Sequence, residues 1–346
     1  MEMTVNTAEA RESIIDCIKA GLVPMLHGSP GIGKSSIVKS IAEQFNLKVI
    51  DLRLSQCDPT DLMGFPFINK EINRAEYTPL TTFPLEGDPL PKDEAGNDME
   101  GWLLLLDEFP SAPLSVQAAA YKLVLDHEVG LHKLHPKVAK VCAGNKQTDN
   151  AIVNRMGTAM QSRLVHLELA IDFNQFLKWA YDTSMDFRIT SYLNFKPEAL
   201  HVFNPQSDDH TYPCPRTWEF VHKLISGWSN IDNAKRPLLA GTIGQGAAIE
   251  FMSYCSIYKD LPTIAQVVKA PLEIPISEEP SIMYAMSGSV ANHIDKTNVD
   301  ALVKYIDRLP PEFQIVTMQE IARKKQELLA TPFIRNWMLK NAKSMF

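Results

Sequence analysis

Gly28, Gly33, Lys34 and Ser35 occupy the fixed positions of G-x-x-x-x-G-K-[ST], within the run Gly28-Ser29-Pro30-Gly31-Ile32-Gly33-Lys34-Ser35-Ser36. That spacing suits a loop whose backbone N–H groups curl around a chain of phosphates. Glycine lets the backbone approach closely and take positive φ. The lysine reaches toward the terminal phosphates, and the hydroxyl after it suits Mg2+. The loop has to open onto a helix, whose N-terminus favours negative charge. All nine residues are therefore candidates for a phosphate cradle.

Further along, Trp102-Leu103-Leu104-Leu105-Leu106 runs straight into Asp107 and Glu108. A buried strand ending this way delivers two carboxylates to the edge where parallel α/β sheets bind ligands. Successive side chains on a strand point apart, so the two acids can divide the work. Asp107 suits a place beside Mg2+, through its water shell. Glu108 suits orienting or deprotonating a water that attacks the terminal phosphorus in line. Asn145 comes just past the strand Val138 to Cys142, where a neutral amide can touch both that phosphate and that water. Arg155 and Arg163 precede the last apolar run, where an arginine can reach a neighbouring subunit's phosphate. Arg163, directly before Leu164-Val165-His166-Leu167, is preferred and Arg155 is the alternate. Arg216, in Pro215-Arg216-Thr217-Trp218, opens a helix against the dipole. Binding phosphate would give it a reason to be there.

The elements that must position these groups follow in order. Leu22 to Leu26 is a short apolar strand ahead of the glycine loop, and Ile37, Val38, Ile41, Ala42 and Phe45 recur at helical spacing after it. Thr7 to Ala20 reads as an earlier helix, and Leu47 to Leu54 as a second strand. Asp58 with Pro59 starts a short helix that Gly64 ends. Pro66 to Gly101, rich in Pro, Gly, Asp and Asn, predicts an exposed insertion with room for a hairpin and a mobile loop at Pro89 to Asp98. Val116 to Leu125 is helical, and Leu164 to Leu169 is the last strand. Beyond it helical patterns dominate. The expected division is a core at 1–170 with its insertion at about 56–100, a helical lid at 171–272 and a helical tail at 273–346.

Composition narrows the function classes. With 346 residues, 45% hydrophobic and 22% charged, the chain is ordinary globular material for about two domains. A net charge of −7 gives no overall pull on nucleic acid or acidic membranes. The five cysteines form no C-x-x-C, so a reducing cytoplasm is expected, without a disulfide framework. The N-terminus has no apolar h-region, and no apolar run is long enough to cross a bilayer. The nine histidines form neither H-x-x-x-H nor H-E-x-x-H, which argues against a protein zinc site. His27 reads as packing, and Trp218 and Trp228 as lid core.

Gly28 to Ser35, Leu103 to Glu108, Asn145, Arg163 and Arg216 resemble, in order, the Walker A, Walker B, sensor 1, arginine finger and sensor 2 of AAA+ ATPases. Asp58-Pro59-Thr60-Asp61-Leu62-Met63-Gly64, Thr82-Phe83-Pro84 and Trp102 to Glu108 look like the MoxR branch, which carries an insertion in its second helix. The resemblance covers roughly residues 5 to 270. It implies a P-loop NTPase αβα sandwich with a five-stranded parallel sheet of order 5-1-4-3-2, a helical lid and a helical tail. It also implies ATP and Mg2+, a hexameric ring with ATP between subunits, and a client, often a von Willebrand factor A domain protein. The branch usually has Asn-Arg-Ala-Pro after its Asp-Glu pair. Here Phe109-Pro110-Ser111-Ala112-Pro113 stands instead, so contacts made by that Asn and Arg do not carry over. Two other readings stay open: a DNA-directed AAA+ motor or loader, and a slow nucleotide switch.

Overall fold

Parallel strands need crossovers between them, usually helical, and the first half of the chain alternates accordingly. Its elements are β1 (Thr4–Val5), α1 (Thr7–Lys19), β2 (Pro24–His27), α2 (Lys34–Gln44), β3 (Leu47–Arg53), α3 (Pro59–Met63), β4 (Phe65–Asn69), β5 (Arg74–Thr78), β6 (Gly101–Asp107), α4 (Leu114–Leu125), β7 (Glu128–Val129), β8 (His132–Lys133), β9 (Val138–Gly144), α5 (Thr158–Gln161) and β10 (Val165–Leu169). The computed structural model describes residues 4–345 except 72, 147, 148, 150–153, 155 and 208, with backbone only for 342–345. The chain divides into two units, Met1–Asp172 and Phe173–Phe346.

The main sheet has the order β1-β10-β2-β9-β6-β3, with every pairing parallel. Without β1 this is the expected 5-1-4-3-2. The strand count is corrected from five to six. The extra strand is only two residues long, too short for any periodicity to reveal, and pairs at the edge as Thr4↔Glu168 and Val5↔Leu169. The fold is that of a P-loop NTPase: a parallel sheet flanked by helices, with a helical C-terminal region.

β6 shows why the acids point as they do. Leu103, Leu104, Leu105 and Leu106 are all 0% exposed, the pattern of a central strand covered on both faces. Leu103 and Leu105 join Ile37, Val38 and Ile41 of α2 in one core. Trp102, Leu104 and Leu106 join Val116, Ala120 and Leu123 of α4 in the other. The two-residue period thus assigns Asp107 to the α2 face. The same rule assigns His27 of β2, two residues after Met25, and His166 of β10, two after Leu164, to the α4 face.

The insertion forms a β4–β5 hairpin on which Phe65 and Ile68 remain 53% and 70% exposed. The segment expected as a mobile loop contains a closed turn. Asp93 accepts hydrogen bonds there from the Asn97 backbone at 2.8 Å and side chain at 3.1 Å.

The second unit is helical: α6 (Phe173–Asp182), α7 (Phe187–Phe195), α8 (Pro215–Ile225), α9 (Arg236–Ile243), α10 (Gln245–Ser256), α11 (Ile264–Lys269), α12 (Pro280–His293), α13 (Val299–Ile306), α14 (Pro311–Lys324) and α15 (Pro332–Met345). Its cores do not respect the expected division at 273. Val267 of α11 packs with Val290, Leu302 and Ile321 from the tail. Ser191 of α7 also donates to the Tyr284 carbonyl of α12 at 2.7 Å. Lid and tail therefore form one unit. Trp218 is fully buried, its indole donating to the Ala199 carbonyl at 3.0 Å. Trp228 departs from the expected core role. It is half-buried, with the Lys235 ammonium 4.7 Å from its ring centre.

Candidate functional site

The glycine loop leaves β2 at His27 and enters α2 at Lys34, as the motif requires. Gly33 caps α2 with φ 97°, a conformation costly for any residue with a Cβ. At Gly28 a Cβ would stand 2.5 Å from Ile32 Cδ1 and 3.3 Å from Leu169 Cβ, so a larger residue there would make the Ile32 side chain shift. Ile32 anchors the loop by packing and is 9% exposed. Ser29 donates to Asp149 Oδ1 at 3.4 Å, while Ser36 is exposed.

Lys34 is 8% exposed and crosses its own loop. Its ammonium donates to the Gly28 carbonyl at 2.6 Å, the Ser29 carbonyl at 3.0 Å and Asn145 Oδ1 at 2.9 Å. Asn145 directly follows β9, the neighbour of β2, and so the sheet order carries it to the loop across 111 residues of sequence. Ser35 donates to Asp107 Oδ2 at 2.8 Å, joining the first turn of α2 to the end of β6. This is the contact that the α2-facing position of Asp107 allows.

Glu108 is not on the extended strand, as the alternation reading supposed. It adopts the left-handed conformation, φ 56° and ψ 29°, uncommon for a residue with a side chain. Its N–H donates to Asp107 Oδ1 at 2.8 Å. Its carboxylate accepts from the Ser55 hydroxyl. The acids separate because the backbone turns between them, not because a strand alternates. Sequence reading missed Ser55 as a site residue. The signal was there in the topology: β3 pairs with β6 as Arg53↔Asp107, so the residues just past β3 must lie beside Glu108.

Arg163 follows α5, is exposed, and donates to the Ala159 carbonyl at 2.9 Å. Arg155 lies outside the described residues. Arg216 is exposed in the first turn of α8 and belongs to the second unit. His27 does more than pack. Its Nε2 lies 2.8 Å from His166 Nδ1, and the rings stack with centres 5.1 Å apart. Burial, then the neighbouring His166, push its pKa down to about 4. A cavity of about 240 Å³ opens between His27, His166, Gln161, Asn145, Asn154 and Pro110. Among the described residues no group of three or more His, Cys, Asp or Glu converges as a metal cage.

The family model of the ATPase family associated with various cellular activities (AAA) matches residues 24–72. The matched stretch begins in β2 and contains the whole phosphate loop. Over these residues the chain is similar to the AAA family. A curated relative, the replication factor C large subunit of Aeropyrum pernix, is 36% identical over 63 residues, 16% of this chain. The match spans only 13% of that relative's length. Among solved structures, a RuvB variant from Thermotoga maritima aligns over 82% of this chain and 81% of its own at 15% identity, TM-score 0.39. The replication initiator DnaA bound to AMPPCP and single-stranded DNA aligns over 99% of this chain and 92% of its own at 14% identity, TM-score 0.38. A structural likeness this distant says nothing of activity.

Proposed function

We propose that this AAA-family protein is a MoxR-type ATPase that hydrolyses Mg-ATP in a ring oligomer and transmits the resulting motion to a partner protein. Lys34 neutralises the β- and γ-phosphates held by the backbone of residues 28–36. Ser35 and Asp107 are oxygen donors already in contact, a set that fits Mg2+, which when bound with nucleotide would offset phosphate charge. Glu108 aligns the attacking water and takes its proton, and Ser55 holds the carboxylate in position. Asn145, tied to Lys34, reports the state of the terminal phosphate. Arg163 acts on a neighbouring subunit's nucleotide, and Arg216 adds a positive phosphate contact, in cis or in trans.

One observation carries this reading. Segments 72 and 111 residues apart in sequence meet at the first turn of α2, and each contact joins groups suited to one phosphoryl-transfer step. The hexameric ring and von Willebrand factor A domain client rest on the resemblance alone, and cytoplasmic placement on the scattered cysteines. No described helix is long and apolar enough to cross a membrane. The direct test is Glu108→Gln protein held in ATP, used as bait and imaged by negative stain. A ring with a captured partner protein supports the reading. A monomer that captures nothing in ATP contradicts it.

The match to a replication factor C subunit favours a second reading, a DNA-directed loader. The net charge of −7 weighs against it. An ATP-dependent rise in the anisotropy of short labelled duplexes would select it.

A further inference from the structure

β10 runs beside β2 in the register His166↔Met25 and Glu168↔His27. His27 and His166 are therefore diagonal neighbours on the α4 face, within reach of one another. His166 Nε2 lies 2.8 Å from the Gln161 carbonyl, which can only accept, so Nε2 carries the proton. His166 Nδ1 and His27 Nε2 share a hydrogen bond at 2.8 Å. The result is a hydrogen-bonded chain from the residue before Gly28, through two rings, to the last residue of α5.

α5 is a single turn, Thr158–Gln161, and a lone turn does not hold itself together. Its last carbonyl, that of Gln161, accepts a long bond from the Leu164 N–H at 3.4 Å, and the histidine chain adds a shorter one at 2.8 Å. Arg163 stands two residues later and is tied back into the same turn through Ala159. Asn145, the partner of Lys34, lines the cavity that the two rings and Gln161 share. We propose that His27 and His166 are positioning residues that hold the Arg163 segment in register with the phosphate loop. This rests on the reading of Arg163 as acting on the neighbouring subunit. The pair touches no phosphate. It acts through the segment it braces.

Subunit mixing tests this. Arg163→Ala subunits load ATP but offer no arginine to a neighbour, whereas Lys34→Ala subunits cannot load but keep the Arg163 segment intact. Mixed, the two should regain turnover. His166→Phe keeps a stacking ring without its hydrogen bonds, and should lower turnover about 3- to 10-fold, the worth of one neutral hydrogen bond. Fluorescent-ATP affinity should stay at the wild-type value. Lys34→Ala subunits should restore His166→Phe turnover, and Arg163→Ala subunits should not. His27→Phe, which leaves β10 unchanged, should repeat the pattern.

If Lys34→Ala rescues Arg163→Ala but neither histidine variant, the proposal is overturned. It is equally overturned if both histidine variants lose ATP affinity along with turnover, because the pair is then general scaffolding. If Arg163→Ala itself is not rescued, the neighbour-acting role of Arg163 fails, and the inference falls with it.

Discussion

Lys34 in the first unit and Lys324 in the second are both nearly buried lysines, yet they are held in different ways. Lys34 bonds to two loop carbonyls and to an amide brought in from β9. Lys324 bonds to the carboxylate of Glu320 at 2.6 Å, one turn back on its own helix. Glu320 is 1% exposed, and burial pushes its carboxyl pKa up. The first arrangement gathers remote segments at the ends of strands, where ligands of parallel sheets bind. The second closes a charge inside a helical core. Nearby, Arg188 and Asp186 do the same, with Nη2 to Oδ2 at 2.7 Å and further bonds to the Trp228 and Ile225 carbonyls. On the proposed function, the polar groups of the strand ends serve chemistry. These buried pairs of the helical unit serve the fold.

Breaking each region should therefore move a different observable. Glu108→Gln should cut ATP turnover by about 10²- to 10⁴-fold, the usual worth of a positioned general base, with the unfolding midpoint little changed. Phosphate release and urea titration on one sample check both halves. Glu320→Ala should do the reverse. It leaves the Lys324 charge buried without its carboxylate and should cost about 3–5 kcal/mol in urea unfolding, with ATP affinity intact. A loss of affinity without loss of stability would erase the contrast.

Ser55→Ala sharpens the comparison within the first unit. Freed from its hydroxyl partner, Glu108 should lose about 3- to 10-fold in turnover, read as a fall in kcat at constant KM. A further contrast concerns pH. Unfolded His27 takes a proton near pH 6.5, while the folded ring resists until about pH 4. Between those values the unfolded chain binds more protons, so acidification favours unfolding there. His27→Asn should flatten the fall in urea midpoint between pH 6.5 and pH 4.5. An unchanged slope would show that other groups set it.

The glycine loop and the leucine strand were legible because each follows a local rule, a fixed motif and a fully apolar run, whereas the order of the five longer strands was implied by the resemblance to AAA+ ATPases. Asp107 and Ser35 were legible for the same reason. What escaped depends on which strands become neighbours. Ser55 acquires a role only because β3 lies against β6. His27 finds His166 only because β10 lies beside β2. The left-handed Glu108 was hidden because alternation was carried one residue past the point where the strand ends. The division at 273 looked real because Pro271 to Pro280 breaks helical periodicity, yet a break in the chain is not a break in the core.

ATP titration of Lys34→Ala beside Glu108→Gln tests the central claim most directly, that the first turn of α2 and the end of β6 form one site for binding and cleaving a nucleotide triphosphate. The account predicts that Lys34→Ala loses measurable affinity while Glu108→Gln binds as the wild type does and does not turn over. Equal loss of binding in both, or binding retained in both, would contradict it.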